Sequence, residues 1–289
     1  MRDEKLTALQ TLAEKISEAD AIVIGGGSGL SSAAGYNHYH WASAFAEALS
    51  LFREHYGFRS PMDGFYHCFS SYEEQWGYYS QYIRFLWEAP TGQPYLDLKE
   101  IVSGKPCFVL TTNIDMQFSR VFSEGQICTF QGEFRFIQCG QPCHDTLYDT
   151  ETMTARMSEY LTDGIRLPSE MVPRCVGCGR VMVPWVRDDS FLEGDFWKSQ
   201  INRYHQFLKH WILEQPDKKV LLLELGVGEM TPAVIKLPFW EMTVKNRNVF
   251  YACLNQEESH APEHLRGKSL YLQGDLAEIL KGLRDLVSR

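Results

Sequence analysis

Apolar residues recur along this chain with two different periods. Leu6, Leu9, Leu12, Ala13 and Ile16 fall at three- and four-residue steps, which predicts a first helix over 4–18. Ala21-Ile22-Val23-Ile24 is a short unbroken apolar run, the pattern of a strand covered on both faces in a parallel sheet. Residues 41–52 return to the helical period, with Trp41, Phe45, Ala48, Leu49 and Phe52 on one face. Cys107–Thr111 reads as a second buried strand, and Val220–Glu224, Val249–Leu254 and Leu270–Leu272 as three more. Residues 190–212 read as helix, and a last helix over 275–287 presents Leu276, Ile279, Leu280, Leu283 and Leu286. Strands alternating with helices predict an α/β fold, a parallel sheet with helices on both faces.

Two segments interrupt that alternation. Residues 53–98 are dense in aromatic side chains, including Phe58, Phe65, Trp76, Tyr78, Tyr82, Phe85 and Trp87, and read as a helical insertion. Its 58–87 stretch either lines a channel for an acyl or lipoyl group or is simply the core of a helical module. Residues 139–186 carry two close cysteine pairs and read as a compact module.

Charge narrows the partners. Lysine plus arginine (28) against aspartate plus glutamate (37) gives a net −9 over 289 residues, so the chain lacks the basic surplus that attracts nucleic-acid phosphates. No apolar run approaches the roughly 18–20 residues needed to span a bilayer. The N-terminal Met1-Arg2-Asp3-Glu4-Lys5 leads into an amphipathic pattern instead of a signal-peptide core. The expectation is a cytoplasmic protein.

There are eight cysteines. In a reduced compartment a disulfide framework is not expected. Cys139 and Cys143, then Cys175 and Cys178, form two knuckles about 30 residues apart that can converge four thiolates on one tetrahedral zinc. Gly140, Pro142, Gly177 and Gly179 suit the tight turns this needs. Four cysteines leave no open coordination position, so the zinc is expected to be structural. His144 could compete as a ligand, and four unrelated free thiols are the alternative. Cys107 and Cys253 read as buried small hydrophobes.

The first strand empties into Gly25-Gly26-Gly27-Ser28-Gly29-Leu30-Ser31-Ser32-Ala33-Ala34-Gly35. A strand, a glycine-rich turn and a helix start let backbone N–H groups approach a pyrophosphate. The strict dinucleotide fingerprint is not met, since Ser32 stands where glycine or alanine is required, and Gly-Lys-Ser/Thr of a Walker loop is absent. A tight turn without ligand remains the alternative.

Several motifs in order resemble those of the sirtuins, NAD-dependent protein deacylases. Gly27–Gly35 resembles the family's GAGxSxxSGI loop, Thr111-Thr112-Asn113-Ile114-Asp115 its TQNID run, and the cysteine pairs its zinc ribbon. Leu254-Asn255-Gln256-Glu257 resembles the strand end that holds adenosine, and Gly274-Asp275-Leu276-Ala277-Glu278-Ile279-Leu280 the closing GD-x-x-E-V-L segment. Three departures stand out. PDFR is replaced by Asn37-His38-Tyr39-His40. The GTS motif appears as Gly226-Val227-Gly228 followed by Thr231-Pro232-Ala233. Phe130-Gln131-Gly132-Glu133 stands where the family has its catalytic histidine before glycine.

That pattern is similar to the microbial class M sirtuins. The resemblance implies a Rossmann-like NAD-binding domain from 1–52, 100–138 and 187–289, a helical insertion at 53–99 and a zinc-ribbon module at 139–186. It implies NAD as co-substrate, held by Gly27, Ser28, Gly29, Ser31, Tyr39, Thr112, Gly226, Gly228, Asn255, Asp275 and Leu276. It further implies mono-ADP-ribosylation of a lipoylated, glycine-cleavage H-like carrier protein, reversed by a macrodomain hydrolase.

The chemistry separates into two stages. Nicotinamide must first leave the anomeric carbon of NAD, which in the family needs the residues matching Asn113, to orient ribose and water, and Asp115, to accept from the carboxamide. Both are retained; without the other motifs they would read as a polar turn after a strand. Deacylation then needs a base near neutrality, and a glutamine amide has no useful basicity there, so Gln131 can position a ribose but cannot take its proton. The expected activity is therefore ADP-ribosyl transfer. A deacylase or lipoamidase using His38 or His40 as substitute base, and a non-catalytic NAD or ADP-ribose sensor, are the alternatives.

Overall fold

The computed structural model describes residues 2–228, 232–257 and 262–287. Among these residues nine strands run in chain order: β1 (Ala21–Gly26), β2 (Cys107–Thr111), β3 (Ile127–Thr129), β4 (Gly132–Cys139), β5 (Tyr148–Asp149), β6 (Met182–Val186), β7 (Val220–Leu225), β8 (Val249–Asn255) and β9 (Ser269–Gln273). Six of them form one parallel sheet in the order β3-β2-β1-β7-β8-β9. The chain starts at the centre and reverses between β1 and β7, the doubly wound order that opens a ligand crevice beyond the carboxyl ends of the strands. Register aligns those ends: Gly26 pairs with Thr111 and with Leu225, Leu225 with Leu254, and Asn255 with Gln273.

Both faces of the sheet are covered, so its central strands are unbroken apolar runs, every residue of β1 and β7 being buried. Ile22 and Ile24 point to a face packed by helices Arg2–Glu18, Gln93–Ile101 and Leu276–Val287 through Leu12, Ile16, Leu98 and Ile279. Val23 points to the opposite face, under helices Asp195–Leu208 and Lys236–Lys245, which contribute Tyr204 and Phe239. The α/β sheet with helices on both faces is thus present as the sequence predicts. The helix Gln93–Ile101, inside the expected insertion for most of its length, buries Tyr95, Leu98 and Ile101 in the sheet's core.

The aromatic segment builds a separate core. Helix Tyr72–Glu88 starts at Ser71, whose Oγ accepts from the Glu74 N–H (3.2 Å). Trp76, Tyr78 and Tyr82 then pack with Phe45, Phe52, Phe134 and Met182. The Trp76 indole donates to the Met182 carbonyl (3.0 Å) and that of Trp87 to Thr150 Oγ1 (2.9 Å), tying the helix to the small antiparallel sheet β5-β4-β6.

Three local expectations differ from the structure. The helix expected over 41–52 is two, Ser43–Ala48 and Ser50–Tyr56, because Leu49 leaves helical geometry (φ −116°, ψ 19°) while its side chain stays buried. The helix expected over 190–212 begins only at Asp195, after Gly194, and its last turn widens over Lys209–Leu213. β3 has three residues, too few to show a period, and β4 is covered along most of its length on both faces, which erases the alternation that would have marked it.

Candidate active site

Two glycine turns interlock at the switch between β1 and β7. The Gly27 N–H donates to the Leu225 carbonyl and that of Gly29 to the Gly226 carbonyl, both at 2.9 Å. A Cβ on Gly27 would lie 2.6 Å from the Gly226 carbonyl oxygen, and Gly226 holds φ +61° with Leu30 N 2.6 Å from where its Cβ would be. Only glycine lets these backbones cross at that distance. The short helix Ser28–Ala33 leaves this crossing and turns Ser31 inward.

Ser28, Ser31, Tyr39, Thr112, Asn113 and Gln131 line one cavity of about 330 Å³, shared with His38, Met62, Tyr66, Ile114, Val186 and Arg187. Asn113 sits beyond β2 with its N–H donating to Thr111 Oγ1 (2.9 Å). Its Nδ2 donates to the Gly27 carbonyl (3.0 Å) and to the Tyr95 hydroxyl (3.2 Å), which leaves Oδ1 as the amide's open acceptor. The Tyr95 hydroxyl, receiving that N–H, is also hydrogen-bonded to Ser31 Oγ at 3.2 Å.

Asp115 lies behind the cavity wall, 1% exposed, with Oδ1 accepting from the Gln117 N–H (3.1 Å). Burial pushes its carboxyl up, but the His38 ring, the Ser31 hydroxyl and the Gln117 N–H outweigh it and hold it below the ordinary value. Asn37 shapes the neighbouring loop: its Oδ1 accepts from the N–H groups of Tyr39 (2.9 Å) and His40 (3.0 Å), which turns His38 inward. His38 is 6% exposed, with Nδ1 hydrogen-bonded to the Tyr82 hydroxyl and Nε2 facing Asp115 Oδ2 at 3.6 Å. His40 is exposed and lies outside the cavity lining.

The Gln131 carbonyl accepts from the Arg187 N–H (2.9 Å), and the next residue, Gly132, holds φ +74°. The Arg187 guanidinium lies over the rings of Phe130, Phe191 and Trp197 at 4.3–5.2 Å and pairs with Glu193 (2.8 Å).

Other expected NAD residues stand on the carboxyl edge outside this cavity. Asn255 Nδ2 donates to the Val227 carbonyl (3.2 Å). Asp275 caps the last helix, accepting from the N–H groups of Ala277 (2.7 Å) and Glu278 (3.2 Å), and Leu276 is buried in the sheet core. Gly228 is exposed at the end of a described segment, and Thr231 lies outside the described residues. Tyr95 and Arg187 carry no mark in the sequence, whereas Met62 and Tyr66 belong to the 58–87 stretch, one reading of which is a channel lining. Tyr95 sits within a helical apolar pattern, and a tyrosine there reads as core until its hydroxyl partners are seen.

The four knuckle cysteines converge, every Sγ lying within 4.8 Å of the others, with Cys139–Cys178 and Cys143–Cys175 each at 3.5 Å. A tetrahedral zinc with bonds of about 2.3 Å sets its sulfurs roughly 3.8 Å apart, so the cluster has the size of such a site. The Cys178 and Gly177 N–H groups lower the Cys175 thiol to about 6 and the Arg180 N–H lowers Cys178, whereas burial raises Cys139 and the neighbouring cysteine sulfurs raise Cys143. His144 Nε2 lies 3.3 Å from Cys175 Sγ, at the edge of the cluster.

The fold is that of the Sir2 proteins. A Sir2 homologue solved in complex with NAD superposes with a TM-score of 0.57, covering 96% of this chain and 94% of that one at 15% identity. No family model matches the chain. Over 284 residues it is 33% identical to a protein ADP-ribosyltransferase of Staphylococcus aureus, covering 97% of this chain and 88% of the relative. The chain belongs to that family, the protein ADP-ribosyltransferases, here on a Sir2 fold. A probable bifunctional ADP-ribose hydrolase/ADP-ribosyltransferase of Fusarium oxysporum is 27% identical over 83% of this chain, which spans 40% of that longer protein.

Proposed function

We propose that the protein moves the ADP-ribosyl group of NAD onto a side chain of a lipoylated, glycine-cleavage H-like carrier protein and releases nicotinamide. The observation that carries this reading is the gathering of Asn113 and Gln131 on one cavity with Asp115 behind its wall; by the motif resemblance the glutamine takes the position of a deacylase's histidine base. In the reaction the bond from the anomeric carbon to nicotinamide breaks with its electron pair leaving on the ring nitrogen. A lone pair of the acceptor forms the new bond, and the acceptor's proton passes to solvent. Asn113, held by Gly27 and Tyr95, presents Oδ1 to the ribose and its water; Asp115 accepts from the carboxamide N–H; Gln131 holds a ribose hydroxyl without ionising it. Gly27, Ser28, Gly29, Ser31, Tyr39, Thr112, Gly226 and Gly228 hold the ribose phosphates, with Asn255, Asp275 and Leu276 at the adenosine end.

A zinc ion held by Cys139, Cys143, Cys175 and Cys178 would be structural, since four thiolates complete its shell. The carrier comes from the resemblance to class M sirtuins. A functional link to a macrodomain hydrolase is supported by the fungal relative, whose name joins a hydrolase to a transferase. Among the described residues no helix is long and apolar enough to cross a membrane. We place the reaction in the cytoplasm, which eight cysteines free of disulfides favour.

A second reading has one observation in its favour: His38 lies on the cavity wall and could serve a deacylase as base. Incubation with adenine-labelled NAD and lipoylated or lipoyl-free carrier separates the readings. Label on the lipoylated carrier alone supports transfer. Label on neither, with acylated ADP-ribose released, supports the deacylase, and NAD binding without turnover supports a sensor.

A further inference from the structure

The cysteine cluster has a further metal-ligating side chain against it. His144 Nε2 lies 3.3 Å from Cys175 Sγ, and Cys143 Sγ lies 3.5 Å from that same sulfur. The imidazole nitrogen thus stands as close to Cys175 as the thiol that precedes it in the chain. Both crowd one spot. The point where a Cβ on Gly177 would sit is 3.4 Å from His144 Cδ2, 3.5 Å from Cys143 Sγ and 3.8 Å from Cys175 Sγ.

The ring is committed to nothing else among the described residues. His144 Nδ1 is buried without a hydrogen-bond partner, and Nε2 has, besides Cys175, the Tyr148 hydroxyl at a long 3.5 Å. With nothing on Nδ1 to fix the tautomer, the neutral ring can carry its proton on either nitrogen. On Nε2 the proton points to the Cys175 sulfur; on Nδ1 it leaves Nε2 a bare lone pair of the kind zinc binds.

The four corners of the cluster are not equivalent. Cys139 and Cys175 are buried, Cys143 and Cys178 exposed. The second knuckle is closed by its own turn, the Cys175 N–H donating to the Arg180 carbonyl (2.7 Å) and the Gly179 N–H to the Cys175 carbonyl (2.8 Å). Cys143 and His144 share the connection 140–147 between β4 and β5, outside both strands. Of the two exposed corners, Cys143 therefore has another ligating group on its own loop, whereas Cys178 is followed by Gly179 and Arg180, which supply none.

Resting on the reading of this cluster as a zinc site, we propose that His144 is a reserve ligand: when the Cys143 sulfur is lost, Nε2 takes its corner and zinc stays bound. One Zn–N bond replaces one Zn–S bond, and a neutral imidazole in place of a thiolate leaves the site less negative by one charge. Four sulfurs, or three sulfurs and one nitrogen, each complete the tetrahedral shell of a structural zinc. The module then keeps its fold without its exposed thiol.

Metal analysis and cobalt spectra test this without an activity assay. Purified Cys143→Ala should fold and carry a full equivalent of zinc. The double variant Cys143→Ala/His144→Ala should lose the metal, and His144→Ala alone should keep it through the four cysteines. Cobalt in Cys143→Ala should show tetrahedral d–d bands, with sulfur-to-metal charge transfer lower than in the wild type by one thiolate's share. A zinc-free or unfolded Cys143→Ala would overturn the proposal. Zinc retained by the double variant would do so too, since another group then fills the corner, and so would zinc lost from His144→Ala, which would make the histidine an ordinary ligand. A wild type that holds no zinc would sink the zinc reading itself, whereas a zinc-loaded wild type beside a zinc-free Cys143→Ala would sink the reserve ligand alone.

Discussion

The Tyr95 hydroxyl joins two functional side chains, and its removal makes a quantitative test. Tyr95 is fully buried, its ring edge-on to Phe118 at 4.9 Å. Tyr95→Phe keeps that packing and deletes one oxygen. Asn113 Nδ2 then keeps the Gly27 carbonyl but has a second N–H with no acceptor, and Ser31 Oγ loses a hydrogen-bond partner. One buried N–H left unpaired costs about 1–3 kcal/mol. Taking ~2 kcal/mol, and roughly 2–4 °C per kcal/mol for a chain of this size, Tm should fall by about 4–8 °C. The amide also loses the contact that sets its rotation, and a small misplacement of a reacting group costs up to about 10²-fold. We expect nicotinamide release with kcat about tenfold lower and KM for NAD changed less, because of the groups that hold the dinucleotide only Ser31 loses a contact. Thermal melts and steady-state assays of nicotinamide release measure both. An unchanged kcat with an unchanged Tm would refute the reasoning, since it would mean the hydroxyl holds neither side chain.

Glu133 is buried with Ser119 Oγ donating to it (2.7 Å), and burial pushes its carboxyl up from 4.5 to about 7. Across that window the unfolded chain gives up this proton while the folded chain keeps it, so stability falls as pH rises, by about 3 kcal/mol in all. Glu133→Gln should flatten the pH dependence of the urea midpoint between pH 4.5 and 7; parallel curves for variant and wild type would contradict this. Cys175→Ser should release zinc, measured by metal analysis, and lower Tm; a variant of full stability carrying no zinc would show the cluster to be dispensable. Gly226→Ala places a methyl 2.6 Å from Leu30 N at φ +61° and should abolish NAD binding or prevent folding; wild-type affinity would mean that the crossing relaxes easily.

What the sequence made legible follows from where its signals are local. The central strands show as apolar runs because both faces are covered, and the last helix because Leu276, Ile279, Leu280 and Leu283 repeat at helical spacing. The cysteine knuckles show because two pairs at short spacing have few other uses. Asn113 and Gln131 came from a resemblance, and the cavity does gather them. Tyr95, Arg187 and the pairing of His38 with Asp115 were out of reach. Each depends on a contact far along the chain, Tyr95 with Ser31, Arg187 with Phe130 and His38 with Asp115, between side chains that singly read as core or surface. The turn of β4 into the small sheet was equally hidden, because burial on both faces removes the alternation that names a strand's partner.

The product balance of a single reaction bears most directly on the asymmetry between bond breaking and deacylation. With NAD and an acylated, lipoylated carrier, the amounts of free nicotinamide, protein-bound ADP-ribose and acylated ADP-ribose are measured together. Nicotinamide matched one for one by ADP-ribose on protein is the predicted result. Nicotinamide matched instead by acylated ADP-ribose would show that a base works in this cavity and would contradict the account.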